Sequence, residues 1–158
     1  MIPSMRGMKY VAVGMLLCVS MGMGGCETNP YTGRHQLLMT SVADEMQMGA
    51  QAYSQVKSDP KMRQSQDPRE IEPVRRVAAR IIDAAKRSKY GDMAQQFQWE
   101  VTVIKDDKTL NAFALPGGYL FVQQGLLQAV ENETQLAGVL SHEIAHVTQR
   151  HIARSVSN

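Results

Sequence analysis

The sequence predicts an α+β fold in which helices pack on a small sheet and the chemistry sits on the last helix. Three observations predict it. An apolar stripe from Ile71 to Ala85 keeps helical spacing, the stretch from Phe97 to Val103 alternates apolar and polar residues, and a capped apolar run begins at Asn132. Neither an internal repeat nor a low-complexity tract interrupts this order.

The N-terminus reads as an address. Arg6 and Lys9 form a positive region ahead of the apolar stretch Tyr10 to Met23, which is too short to span a bilayer comfortably. It ends in Met23-Gly24-Gly25-Cys26, which resembles a bacterial lipobox although Met23 replaces the usual leucine. Residues 1–25 are therefore expected to be a lipoprotein signal peptide, Cys26 the lipidation site, 26–40 the anchor and tether, and 41–158 the folded domain. An ordinary signal peptide with an incidental cysteine is the other reading. Cys18 lies in the discarded part, so Cys26 is the only thiol left and any metal must be held by histidine and carboxylate. Residues 26–158 carry 15 basic and 15 acidic side chains with no basic stripe, which argues against nucleic acid as a partner.

The tether has turn chemistry at Asn29-Pro30 and Thr32-Gly33. Ser41 is the expected cap of a helix over Ala43 to Val56, with Asp44 and Glu45 in its first turn. Ser58 to Arg69 holds Pro60 and Pro68 and reads as a loop. In the next helix Val74, Val77, Ala78, Ile81 and Ile82 share a face, while Arg75, Arg76, Arg80 and Lys86 lie off it as solvated charges. Phe97, Trp99, Val101 and Val103 alternate with Gln98, Glu100 and Thr102, the pattern of a half-buried strand. Two short extended pieces, Ala112 to Leu115 and Tyr119 to Val122, flank Pro116-Gly117-Gly118, and Gly125 to Val130 fits a helical turn. Asn132 with Gln135 makes a cap for a last helix from Glu133 to about Arg154.

That helix carries His142-Glu143-Ile144-Ala145-His146. Residues four apart share a helix face, so two imidazoles reach one tetrahedral ion, and the glutamate between them can take a proton from a water at the metal. A chance match in a chain of this composition has a probability on the order of 1%. On a helical wheel Glu143 falls between Val139 and Leu136, inside an apolar stripe where an ionised carboxylate is costly without a partner. His151 projects about 140° around the helix from His146, so it cannot join the same metal unless the helix breaks. Gln149 and Ile152 stand where a longer three-histidine pattern needs glycine and histidine. His35 reads as a surface residue.

Asn111 to Gly118 (NAFALPGG), Gly125-Leu126-Leu127 and Asn132 to His151 (NETQLAGVLSHEIAHVTQRH) together resemble the CAAX-prenyl-protease-like zinc peptidase family. The tether segment Asn29 to Leu37 is similar to that of its bacterial periplasmic lipoprotein branch. The resemblance implies the N-terminal part of a zincin (gluzincin) metalloprotease domain, with one zinc ion, His142 and His146 as ligands and Glu143 as general base. It also implies a third ligand, a glutamate on a later helix; no acid follows Glu143, and Glu131 and Glu133 point away from the site, so the C-terminal part of the domain is expected to lie beyond Asn158. The implied substrates are unfolded or misassembled envelope polypeptides. The implied location is periplasm-facing, lipid-anchored in the membrane, and Glu27 after Cys26 favours the outer membrane. Within Asn111 to Val122, the residues Ala114, Pro116, Gly117, Gly118 and Tyr119 are candidates for an edge that captures substrate by strand addition; a structural hairpin is the alternative. Without the third ligand, a non-catalytic binding or chaperone-like module of the envelope is the competing function.

Overall fold

A computed structural model describes residues 26–28, 35–37 and 41–151. In chain order the elements are β1 (Cys26–Thr28), β2 (His35–Leu37), α1 (Val42–Ser58), α2 (Pro68–Lys86), α3 (Gly91–Gln96), β3 (Glu100–Ile104), β4 (Ala112–Leu115), β5 (Tyr119–Gln123), α4 (Gln124–Ala129) and α5 (Glu133–Thr148). The proposed signal peptide and the turns expected at residues 29–34 lie outside the described residues. The expected tether contains antiparallel pairing, with Cys26 opposite Leu37 and Thr28 opposite His35.

The domain's sheet has the order β3-β5-β4, with β5 parallel to β3 and antiparallel to β4. Period-2 alternation sends its side chains to two separate cores. Val103, Leu120, Val122 and Ala112 join Val74, Val77, Ala78 and Ile82 of α2 and Leu136, Leu140 and Ile144 of α5. Ile104, Tyr119 and Phe121 face the other way and meet Tyr53 and Val56 of α1, with the Tyr53 and Tyr119 rings stacked at 4.4 Å. Full burial of Leu140 and Ile144 contributes about 1.5–3 kcal/mol each, which fixes α5 against the sheet.

The α1 layer explains one departure from expectation. A strand with one polar face would expose Thr102, yet Thr102 is buried because α1 covers that face. The strand also begins later than Phe97. Phe97 ends α3, and Trp99 turns its indole N–H to the Ala94 carbonyl at 2.8 Å. Six residues without an apolar stripe gave α3 no periodic signal.

Helix α1 starts as its sequence predicts, with Ser41 and Asp44 forming a reciprocal capping box. Helix α2 starts at Pro68 rather than after Arg69. Asp67 caps it, accepting from the Arg69 N–H at 2.9 Å, and Pro68 suits the first turn, where its missing N–H costs nothing. The Arg69 guanidinium and backbone N–H hold the Asp67 carboxyl at about 2, below its ordinary value. Because the folded pKa is the lower one, the stability it contributes is present above pH ~4 and lost as pH falls toward ~2. Asp67→Asn keeps a capping oxygen and should flatten the pH dependence of the urea midpoint across that window. An unchanged acid slope would show that Asp67 ionisation is not linked to folding.

Helix α5 ends at Thr148, not near Arg154. The Thr148 hydroxyl bonds back to the Ile144 carbonyl at 3.0 Å, and Arg150 takes the left-handed conformation with φ 55°. That conformation costs a non-glycine residue about 1–2 kcal/mol. The Arg150 side chain supplies the offset: it is buried against Glu45 of α1, its Nε donating to Oε1 at 2.7 Å and an Nη2 contact adding to the pair. Glu45, expected only as a first-turn charge, is thus the buried partner of the residue just past the end of α5.

Candidate metal centre

His142 and His146 lie one helical turn apart on α5, and their Nε2 atoms face each other at 2.9 Å. Two nitrogens on corners of a tetrahedral zinc site, each ~2.0–2.1 Å from the ion, lie roughly 3.3 Å apart. A rotation of a few tenths of an ångström would therefore open the pair onto one ion. His142 is exposed and His146 half-buried, so the pair opens outward from the helix. Glu143 is half-buried beside the buried stripe of Leu136, Leu140, Ile144 and Val147. The donor set fits a metal at two positions. No group of three or more histidine, cysteine or acidic residues able to hold a metal occurs among the described residues.

The acids at the far end of α5 do not contribute. Glu133 pairs with Arg76 of α2, which holds its carboxyl below the usual range, and its Cα is about 14 Å along the helix from His142. Arg76 is thereby an inter-helix partner rather than a purely solvated charge.

His151 departs from the wheel. The reversal at Arg150 brings its Nδ1 to 2.7 Å from Nδ1 of His146, with the rings nearly perpendicular at 79°. Its Nε2 sits 3.2 Å from Oε1 of Gln149. The condition set by the sequence, that the helix must break first, is met.

Pro116, Gly117 and Gly118 form the β4–β5 turn, and the two glycines take φ 88° and 99°. Their smallness has a packing cause. A Cβ on Gly118 would sit 3.1 Å from the Trp99 ring, one on Gly117 would meet Tyr119 at 3.3 Å, and Gly49 of α1 packs directly on the Pro116 carbonyl. The turn is thus clasped by α1 and by the segment ahead of β3. Tyr119 stands in the central strand, paired with Glu100 on one side and Leu115 on the other, so no edge is available there. The expectation of an edge narrows to β4. In its ladder Gln123 N–H bonds the Asn111 carbonyl at 3.0 Å, so the odd-numbered residues bond to β5. The backbone groups of Ala112 and Ala114 turn the other way, toward the side of β4 that pairs with no further strand among the described residues. Ala112 belongs to the same buried cluster as Leu140 and Ile144 of α5, which sets this edge alongside that helix.

An α+β domain with His-Glu-x-x-His on a helix is the arrangement of the metallopeptidase class. Residues 68–158 match the model of peptidase family M48, and the chain belongs to that family. It is similar to the mitochondrial metalloendopeptidase OMA1 of Schizosaccharomyces pombe, 37% identical over 130 residues that cover 81% of this chain and 36% of that protein. It is also similar to the beta-barrel assembly-enhancing protease of Escherichia coli, 31% identical over 132 residues covering 84% of this chain and 25% of that protein. A 50-residue stretch is 54% identical to the putative beta-barrel assembly-enhancing protease of Vibrio cholerae, covering 32% of this chain and 10% of that protein. The chain therefore spans about a third or less of the length of these relatives.

Proposed function

We propose that the chain is the metal-bearing part of a zinc-dependent metalloendopeptidase of the bacterial cell envelope that hydrolyses peptide bonds of misfolded or misassembled envelope proteins. The observation that carries the reading is the convergence of the His142 and His146 Nε2 atoms beside Glu143. Family membership supports it, and within the family the sequence favours the lipoprotein branch and a zincin (gluzincin) arrangement completed by a third ligand.

When bound, zinc supplies Lewis acidity, polarising the scissile carbonyl and acidifying a water near it. His142 and His146 would hold it. Glu143 takes a proton from the attacking water as its oxygen bonds to the carbonyl carbon, then passes that proton to the leaving nitrogen as the C–N bond breaks.

The outward backbone groups of Ala112 and Ala114 fit an extended polypeptide added as a further strand. Ala114→Pro removes one outward N–H and no bond to β5, a change an edge strand tolerates. It should raise KM for unfolded casein several-fold with the thermal midpoint nearly unchanged. An unchanged KM would remove β4 from substrate capture.

Lipid attachment at Cys26, with the protein facing the periplasm from the outer membrane, rests on the sequence of residues 1–27. No helix among the described residues is long and apolar enough to cross a membrane. A binding or chaperone-like module is the second reading, favoured by the two-histidine donor set among the described residues. Zinc content and casein cleavage, measured on this chain and on a form extended to the length of its relatives, separate the two. About one zinc per chain with cleavage in the extended form supports the enzyme. An extended form that holds unfolded casein but neither binds zinc nor cuts supports the module.

A further inference from the structure

We propose that His151 is a positioning residue for His146, fixing the tautomer and ring orientation that leave Nε2 of His146 bare for the ion. The inference rests on the reading of His142 and His146 as zinc ligands.

The argument follows one chain of hydrogen bonds. Oε1 of Gln149 is an acceptor only, so the neighbouring Nε2 of His151, 3.2 Å away, carries its ring's proton. In the neutral imidazole the other nitrogen, Nδ1, then presents a lone pair. That lone pair lies 2.7 Å from Nδ1 of His146, so the proton between the rings belongs to His146. With its proton on Nδ1, His146 has a bare Nε2, and this is the atom that faces Nε2 of His142 at 2.9 Å. Metal-ligating histidines commonly give their second N–H to such an acceptor, which sets the ring and raises its basicity. Here the acceptor is a second histidine, oriented in turn by a glutamine.

The fold places His151 by a specific device. A continuous helix would carry it about 140° away from His146. Instead α5 stops at Thr148, Arg150 adopts φ 55°, and its side chain is held by Glu45 from the start of α1. Gln149, His146 and His151 are all half-buried, which shields the network from competing water. Helix α1 thereby acts on the site without touching it.

The test is zinc affinity of the full chain, measured by competition with a chromophoric chelator, for the wild type, His151→Ala, Gln149→Leu and His142→Ala. Loss of an outer partner of this kind costs roughly 10–100-fold in affinity. The expected order is wild type tightest, Gln149→Leu and His151→Ala weaker, and His142→Ala weakest. Nitrogen-15 NMR of the metal-free wild-type imidazoles gives a second readout that needs no variant to fold: His146 should show its proton on Nδ1. Wild-type affinity in a folded His151→Ala, with affinity lost in His142→Ala, overturns the inference and spares the metal site. A proton on Nε2 of His146 in the wild type overturns it as well. Zinc binding that His142→Ala does not change overturns the metal site and this inference together.

Discussion

Glu143→Gln is expected to lower peptide hydrolysis by the protein carrying this chain by about 10²–10⁴-fold, the usual contribution of a positioned general base. Its zinc content should stay the same. The two effects separate because Glu143 lies between His142 and His146 in sequence but projects beside the apolar stripe of α5, where it is half-buried. Glutamine keeps the shape and the hydrogen-bonding reach, yet its amide cannot take up a proton at pH 7. KM for a casein substrate should change little, since the role proposed for the residue is on the attacking water and not on the bound chain. Metal analysis beside steady-state kinetics decides the matter. Loss of metal together with activity would mean that Glu143 maintains the site's structure, and full activity would remove it from proton transfer. His146→Ala serves as the contrast, because it should lose both zinc and activity.

The parts of the molecule legible in the sequence are those whose cause is local. His142, Glu143 and His146 act within one helical turn, so spacing alone places them. Ser41 with Asp44 and Asn132 with Gln135 set helix starts through bonds three residues long. The hairpin of β4 and β5 follows from a proline and two glycines that only a tight turn accommodates. What the sequence hides depends on distant partners. Nothing near Arg150 signals a left-handed residue; its side chain is held by Glu45, 105 positions earlier. His151 is consequently misplaced by any wheel that continues the helix. Thr102 looks solvent-facing until α1 is known to cover that side of the sheet, and Gly117 and Gly118 look available to a ligand until Met46, Phe97 and Trp99 are seen against them. Asp67 and Pro68 cap and open α2, although two prolines in a polar stretch read as a loop.

Glu45→Ala should destabilise the fold by about 3–5 kcal/mol, the usual cost of removing one partner of a buried ion pair. Both side chains are nearly inaccessible, at 7% and 6% for Glu45 and Arg150. Each charge also stands at the helix pole that favours it, the carboxylate in the first turn of α1 and the guanidinium just past the C-terminus of α5. Removing Glu45 takes away the ion pair and the offset for the left-handed backbone at Arg150 together. Urea unfolding checks this: the midpoint should fall with an unchanged slope, since the surface exposed on unfolding hardly changes. Glu45→Leu combined with Arg150→Leu should recover part of the loss, because an apolar pair has no charge to desolvate, but it keeps the strained conformation. Arg150→Gly relieves the strain and strands Glu45, so it should fall between wild type and Glu45→Ala. If Glu45→Ala costs less than about 1 kcal/mol, the pair behaves as an exposed one and α1 does not hold the end of the ligand helix. If the cost is as large as expected, α1 is part of what shapes the segment that carries His146 and His151.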